Sequence, residues 1–366
     1  MTKLLLTVTI VCVIFFSGFL VYKKTHPTTF LSGNVQIPQL FPSPSPSLPP
    51  TPTLNSIFTP DHSWTKKLDP EKTVTLIATG DVIPARTVNF TAISKKDFAW
   101  SYKNIAGLTK SGDLTFINLE TPLIEKCPAT SEGMIFCGDP RHIQGLLMLG
   151  ADIANLGNNH AGNYGETGVK ETITLLNKNN IDATGINGPI YKSVKGVKFA
   201  FLGYDDITTP QPGVSNFDET KLKHEINEAQ KNADIVIVQY HWGVEYRAQP
   251  DDRQKKLGHL TIDDGADLVI GNHPHWIQPI EFYNGKLITY AHGNTIFDQM
   301  WSEETKYGVI GKYTFYNKQL VDVEYFPLYI KDYGQPSLLD GPDKQKVLDN
   351  MKKQSEILAS SSAKHS

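Results

Sequence analysis

Short apolar, β-branched runs alternate along the chain with longer segments of helical period. Thr73–Thr79, Leu114–Glu120, Asp152–Gly157, Lys198–Tyr204, Asp234–Tyr240, Asp267–Gly271 and Lys286–Ala291 read as strands. Most are apolar throughout, the pattern of strands covered on both faces. Between them Arg141–Leu149, Glu166–Asn179, Glu219–Asn232 and Arg253–Gly265 read as helices. The stretch from Val309 to Ile330 predicts a β-hairpin turning near Asn317. This alternation predicts an α/β fold with central sheets and outer helices.

The two ends differ from this body. Leu4–Tyr22 is an uncharged run of about 19 residues, long enough to cross a bilayer core of about 30 Å. Lys3 precedes it and Lys23 and Lys24 follow, so flanking charge does not set its orientation. Its place near the start favours a single-pass anchor with a cytoplasmic N-terminus and an extracytoplasmic globular domain; a cleaved signal peptide is the alternative. Residues 25–70 contain PSPSPSLPPTPT, whose prolines remove backbone donors and favour extended chain, so the stretch reads as a semi-rigid polyproline spacer. The organisation expected is therefore an anchor over 1–24, a linker over 25–70, one large domain over 71–335, and a C-terminal helix with a polar tail over 336–366.

Composition narrows the partners. A fifth of the residues are charged and the formal net charge is −3, too small to argue for a nucleic-acid partner. Cys127 and Cys137 flank a loop-like segment. Outside the cytoplasm they could form a disulfide; two independent thiols is the other reading. Their spacing fits no zinc ribbon.

Chemistry is concentrated where strands end. Asp81 follows the first strand and Asn118 and Glu120 end the second. The third runs into Asn158, Asn159 and His160. Further strands lead to His241 with Glu245, to His273 and His275, and to His292 and Asn294. In open α/β sheets the strand ends form the ligand crevice. Carboxylate, amide oxygen and imidazole together suit a divalent transition metal such as Mn, Fe or Zn, one ion or two. Taken singly each element is weak: Gly-Asp is commonly a turn, and Asn-Asn-His is a plausible helix cap. His273 and His275 flank Pro274, which predicts extended backbone with both rings on one side.

The stretches ATGDVIPAR, FINLETPL, ANLGNNHAGNYG, QYHWGVEY, GADLVIGNHPHWIQPIE and KLITYAHGNTIFDQ, in this order, resemble the CapA family of poly-gamma-glutamate capsule synthesis proteins. That family is similar to the calcineurin-like metallophosphatases. The resemblance implies a four-layer α/β/β/α sandwich with a metal centre at the strand ends. It also implies Asp81 and His275 at a first metal and Asn159, His241 and His273 at a second, with Glu120 bridging. His160 would be a proton donor to a leaving group, and Arg86 and Glu245 substrate or supporting contacts. Ile83 stands where the superfamily has a histidine ligand, Asn163 where the family has an aspartate, and Asn272 where it has a second histidine. His292 is additional, either a replacement ligand or a pocket residue.

The implied role is capsule or envelope polymer biosynthesis with metal-dependent phosphoester hydrolysis. The alternative is a non-catalytic module that holds anionic polymer or docks on a membrane polyglutamate synthase complex.

Overall fold

The computed structural model describes residues 49–207 and 209–362. The apolar run Leu4–Tyr22 lies outside the described residues, and among those described no helix is long and apolar enough to cross a membrane.

Among the described residues, fourteen strands form two sheets. The first contains β1 (Thr73–Val82), β2 (Leu114–Leu119), β3 (Ile153–Asn155), β4 (Asp182–Thr184), β11 (Asn294–Ile296), β12 (Tyr307–Tyr316), β13 (Gln319–Lys331) and β14 (Gln335–Leu338). Its order is β14-β13-β12-β1-β2-β3-β4, with β11 pairing on the end of β1. The second contains β5 (Ile190–Val194), β6 (Val197–Asp205), β7 (Ile235–His241), β8 (Leu268–Asn272), β9 (Ile280–Tyr283) and β10 (Lys286–Thr289). Its order is β5-β6-β7-β8-β10-β9. β1 to β4 run parallel, as do β6, β7, β8 and β10. All their C-terminal ends are therefore at one edge of their sheet.

Four layers follow from which side chains meet. Leu76, Phe116 and Ile153 of the first sheet pack against Phe199, Phe201, Ile237 and Leu268 of the second. On its other face the first sheet packs Ile77, Ile117 and Ala154 against Val88, Leu146 and Leu176. These come from the helices α2 (Thr87–Lys95), α4 (Ile143–Leu149) and α5 (Gly165–Lys178), with the short α3 (Ala106–Thr109) alongside. The second sheet packs Leu202, Val236 and Val238 against Leu222, Ile226 and Leu257, from α6 (Glu219–Asn232) and α7 (Asp252–Asp263). Apolar residues therefore alternate between two buried faces, which is why these strands are apolar throughout. The hairpin of β12 and β13 turns through Asn317 and Lys318, both at positive φ, as a two-residue hairpin turn requires.

The termini depart from expectation. The spacer predicted over residues 25–70 does not extend through that range. Leu54–Ile57 forms a short helix, α1, capped by Thr53, whose side chain accepts from the Ser56 amide. Ile57 and Phe58 are buried in the inter-sheet core, and Phe58 stacks on Tyr325. Two large apolar side chains buried in this way are each worth roughly 1.5–3 kcal/mol and anchor a segment of composition otherwise suited to a linker. The domain also continues past residue 335. Gln335–Leu338 is the edge strand of the first sheet, and the C-terminal helix α8 (Gly341–Ser362) buries Leu348, Met351 and Leu358.

The N-terminal segment is clamped at its far end by a buried pair. Both carboxylate oxygens of Asp322 lie within 3.0 Å of His62 Nδ1. Burial opposes the charged imidazole, but the Asp322 hydrogen bond and charge outweigh it and raise the His62 pKa above its usual 6.5. A pKa raised by folding contributes stability that is complete below about pH 6.5 and lost as pH rises through the raised value. We expect His62→Ala to destabilise the domain by about 1.5–3 kcal/mol at pH 6. The deficit should shrink at pH 8.5 in paired denaturant melts; a deficit independent of pH would show that the pair carries no charge.

Candidate metal centre at the facing strand ends

The polar residues predicted at the strand ends form two rows. In the first sheet Asp81 is in register with Asn294 on one side and Asn118 on the other, and Asn118 with Asn155. In the second, His241 is in register with Asp205 and Asn272. One local irregularity makes the first row possible. Between Ala78 and Asp81 the register slips: three residues of β1 advance against two of β2, from Phe116 to Asn118. Without that slip Asp81 would share the face of Ile77, toward the helices. The slip requires Gly80, where a Cβ would sit 2.0 Å from the Gly293 carbonyl oxygen, the oxygen that accepts the Asp81 amide at 3.0 Å.

The rows bring Asp81, Glu120, His241, His273 and His275 together, all buried. Ligand atoms of Glu120, His241 and His273 lie within 4.8 Å of one another, as do those of Asp81, Glu120 and His275. His241 Nε2 is 3.0 Å from His273 Nδ1 and 3.3 Å from Glu120 Oε1. His275 Nδ1 is 3.2 Å from Asp81 Oδ2. Pro274 does not hold the two histidines extended as predicted. His273 has φ 99° and His275 φ 56°, a turn whose Pro274 carbonyl accepts the Tyr246 amide at 2.9 Å. Non-glycine residues at positive φ are strained by roughly 1–3 kcal/mol each, and that turn carries both rings inward.

Surrounding amides fix the ligands. Asn118 donates Nδ2–H to Asp81 Oδ1 at 2.8 Å, while its oxygen accepts from Asn155 and Asn158. Asn294 donates to the Thr305 carbonyl and to Gln299, leaving its oxygen for His275 Nδ1 at 2.8 Å. Such partners set the ring and tautomer of a metal ligand. Asn158 also serves the backbone, accepting the His160 and Ala161 amides.

Asp81 in the centre has hydrogen-bond partners, but Glu120 has none. Neither carboxylate oxygen of Glu120 has a hydrogen-bond donor, and Asn159 Oδ1 is buried without a partner. Burial, then the charges of Asp81, Glu245 and Asp205, raise the Glu120 pKa well above its usual value. Asp81 is held below its usual value, its own burial being outweighed by His275, His241 and Asn118. Burial lowers both His241, to about 3, and His273, so both rings are neutral at physiological pH. Neutral imidazoles and carboxylates are a donor set that a divalent cation satisfies.

Other predicted residues take different places. His292 Nε2 is 3.0 Å from the Tyr313 hydroxyl and its ring lies against Tyr313 and Tyr325 between the sheets, with Nδ1 buried and unpartnered. Ile83 packs with Ala85, Phe136 and Phe297. Arg86 is committed rather than free, paired with Asp298 and lying over Phe136 and Phe297. Glu245 stands at the half-buried rim beside Tyr246. Cys127 and Cys137 are joined as a disulfide.

His160 stacks on Phe136 with ring centroids 3.9 Å apart. Burial lowers its pKa to about 4, with the Asn163 bond opposing and the charges of His275 and Arg86 adding. It therefore becomes a proton donor only after taking up a proton. Sequence reasoning missed Asp205, buried with Oδ2 unpartnered and its pKa pushed up to about 7 by burial. It ends β6, as Asp81 stands one residue before the end of β1, and that position was the available signal.

The architecture is thus an α/β sandwich with an acid–histidine centre at facing strand ends. The family "Bacterial capsule synthesis protein PGA_cap" matches residues 75–299, and the chain belongs to it. It is 41% identical over 165 residues to the PGA biosynthesis protein CapA of Bacillus subtilis, covering 41% of this chain but only 43% of that protein. With the capsule biosynthesis protein CapA of Bacillus anthracis it is 27% identical over 296 residues, covering 75% of this chain and 72% of that one. Among solved structures it is similar to a hypothetical protein from Thermus thermophilus (16% identity, TM-score 0.47, 72% of this chain, 100% of that one). A putative 5'-nucleotidase from Staphylococcus aureus is also similar (15% identity, TM-score 0.44, 77% of this chain, 58% of that one).

The unpaired Glu120 carboxylate gives a direct test. A carboxyl whose pKa folding raises costs stability increasingly as pH rises above its unfolded value. At pH 8 in chelator we expect Glu120→Gln to melt above the wild type, by about 1–3 kcal/mol. Adding manganese or zinc at about 100-fold over its dissociation constant should stabilise the wild type by about 2.7 kcal/mol and the variant much less. Equal metal gains in both would remove Glu120 from the centre.

Proposed function

We propose that this chain is a capsule or envelope polymer biosynthesis protein whose buried centre performs metal-dependent hydrolysis of a phosphate ester or phosphoanhydride. The observation that carries the reading is the pair of donorless Glu120 oxygens among Asp81, His241, His273 and His275. Glu120, Asn159, His241 and His273 would hold one divalent ion, and Asp81, Glu120 and His275 a second, in the arrangement of a metallophosphatase-like sandwich. Bound there, manganese, iron or zinc supplies Lewis-acid charge to a phosphoryl group.

The chain's own residues do the rest. The strained His273–His275 turn and the Asn118 and Asn294 amides hold the ligands rigid, so little reorganisation accompanies binding. Asp298 occupies Arg86, which supports the rim rather than clamping substrate. His160 would take a proton from the attacking water and pass it to the departing oxygen, which leaves as a hydroxyl. Substrates of this chemistry outside the cell are lipid-linked or nucleotide-linked intermediates.

The Cys127–Cys137 bond supports an oxidising location, in keeping with an anchor at Leu4–Tyr22 and a domain outside the membrane. A second reading has its own support. Ile83 leaves the Asp81 side short of a ligand, and a single ion would suit a polymer carboxylate. The chain would then hold anionic polymer for a membrane polyglutamate synthase complex.

The deciding experiment loads the purified domain with manganese and assays phosphomonoesters, diesters and anhydrides. We expect turnover that falls about 10²–10⁴-fold in His160→Ala and vanishes with bound metal in His241→Ala. Hydrolysis undiminished in both variants would sink the catalytic reading; metal retention with no hydrolysis and with polyglutamate binding would favour the second.

A further inference from the structure

The segment between Cys127 and Cys137 reaches the centre through one residue. Met134 and Ile135 are exposed at 65% and 67%, and Phe136, which follows, is 2% exposed. The Phe136 ring stacks on His160 with an interplanar angle of 20° and meets Phe297 edge-on. Arg86 lies over the same ring and donates to the Gly133 carbonyl of the loop at 3.4 Å. The disulfide closes the base of the loop, and Asn89 Nδ2 reaches the Cys127 sulfur at 3.5 Å.

The Phe136 backbone decides a proton position. Its N–H donates to the Asn163 side-chain oxygen at 2.7 Å. A backbone N–H can only donate, so the Asn163 atom facing it is the oxygen and not the amide nitrogen. The same oxygen lies 2.9 Å from His160 Nδ1, so Nδ1 must carry the hydrogen. Asn163 Nδ2 turns to the Asn159 carbonyl at 3.4 Å, consistent with that orientation. The neutral ring then has its lone pair on Nε2, which makes no hydrogen bond among the described residues.

We propose that the disulfide-closed loop, through Phe136 and Asn163, is a positioning device that locks His160 in the Nδ1–H tautomer with Nε2 bare. Asn163 is a positioning residue: it acts through His160 and touches no reacting atom. The stacked Phe136 ring restricts rotation of the imidazole, and the disulfide keeps Phe136 in place although its two preceding neighbours are in solvent. This deepens the proton-transfer role given to His160 above and rests on that reading only for its catalytic meaning.

The test reads the proton itself, so its outcome is independent of whether the centre hydrolyses anything. Nitrogen-15 spectra of the histidine side chains of the full chain, chelator-treated at pH 7.5, are compared with His160→Gln for assignment. In the wild type we expect His160 Nδ1 in the protonated, pyrrole-like range and Nε2 in the lone-pair, pyridine-like range, as one tautomer. In Asn163→Val that pattern should be lost, and in Cys127→Ser/Cys137→Ser it should give way to averaged shifts of both tautomers. A wild-type Nε2–H tautomer would overturn the lock. A single Nδ1–H tautomer surviving in Asn163→Val would overturn the role of Asn163. Survival in the double serine variant would overturn that of the loop.

Discussion

Two carboxylates buried side by side, Asp81 and Glu120, are the constraint around which the strand ends are arranged. Burying one unpaired charge is expensive and burying two adjacent ones more so. The protein compensates Asp81 with Asn118, His275 and the His273 amide but gives Glu120 no donor at all. An arrangement this unfavourable on its own is retained in folds that gain elsewhere, and the gain available here is a cation. The register slip at Gly80, the inward turn at Pro274 and the layer of asparagine amides all bring charge and lone pairs to one point rather than spreading them over the surface.

The rest of the molecule supplies rigidity to that point. Both sheets are sandwiched between apolar layers, so the edge carrying the polar rows cannot shift without disturbing three cores. The ends of the described chain add to this frame. Phe58 enters the inter-sheet core from the N-terminal side, and α8 closes over the second sheet, where Ser355 accepts the Ile280 amide at 3.0 Å. Segments that by composition resemble a linker and a tail are thereby parts of the domain.

The loop between the cysteines belongs to the centre as much as the strand ends do. It covers His160 with Phe136, gives Arg86 an aromatic bed and joins the two sides of the rim.

The sequence by itself determined the order of strands and helices, because continuous apolar runs have one stable use, between two covered faces. It also determined which polar residues end those strands, and so the candidate ligands Asp81, Glu120, Asn159, His241, His273 and His275. Tertiary structure alone decided what depends on packing between distant segments. Asp81 faces the centre only through a register slip fixed by Gly293, and Pro274 makes a turn because its neighbours adopt positive φ. His292 spends its ring on Tyr313, and Arg86 spends its charge on Asp298, partners more than 20 and 200 residues away. Sequence spacing fixes which side of a strand a residue occupies, but not which distant group has already claimed its hydrogen bonds.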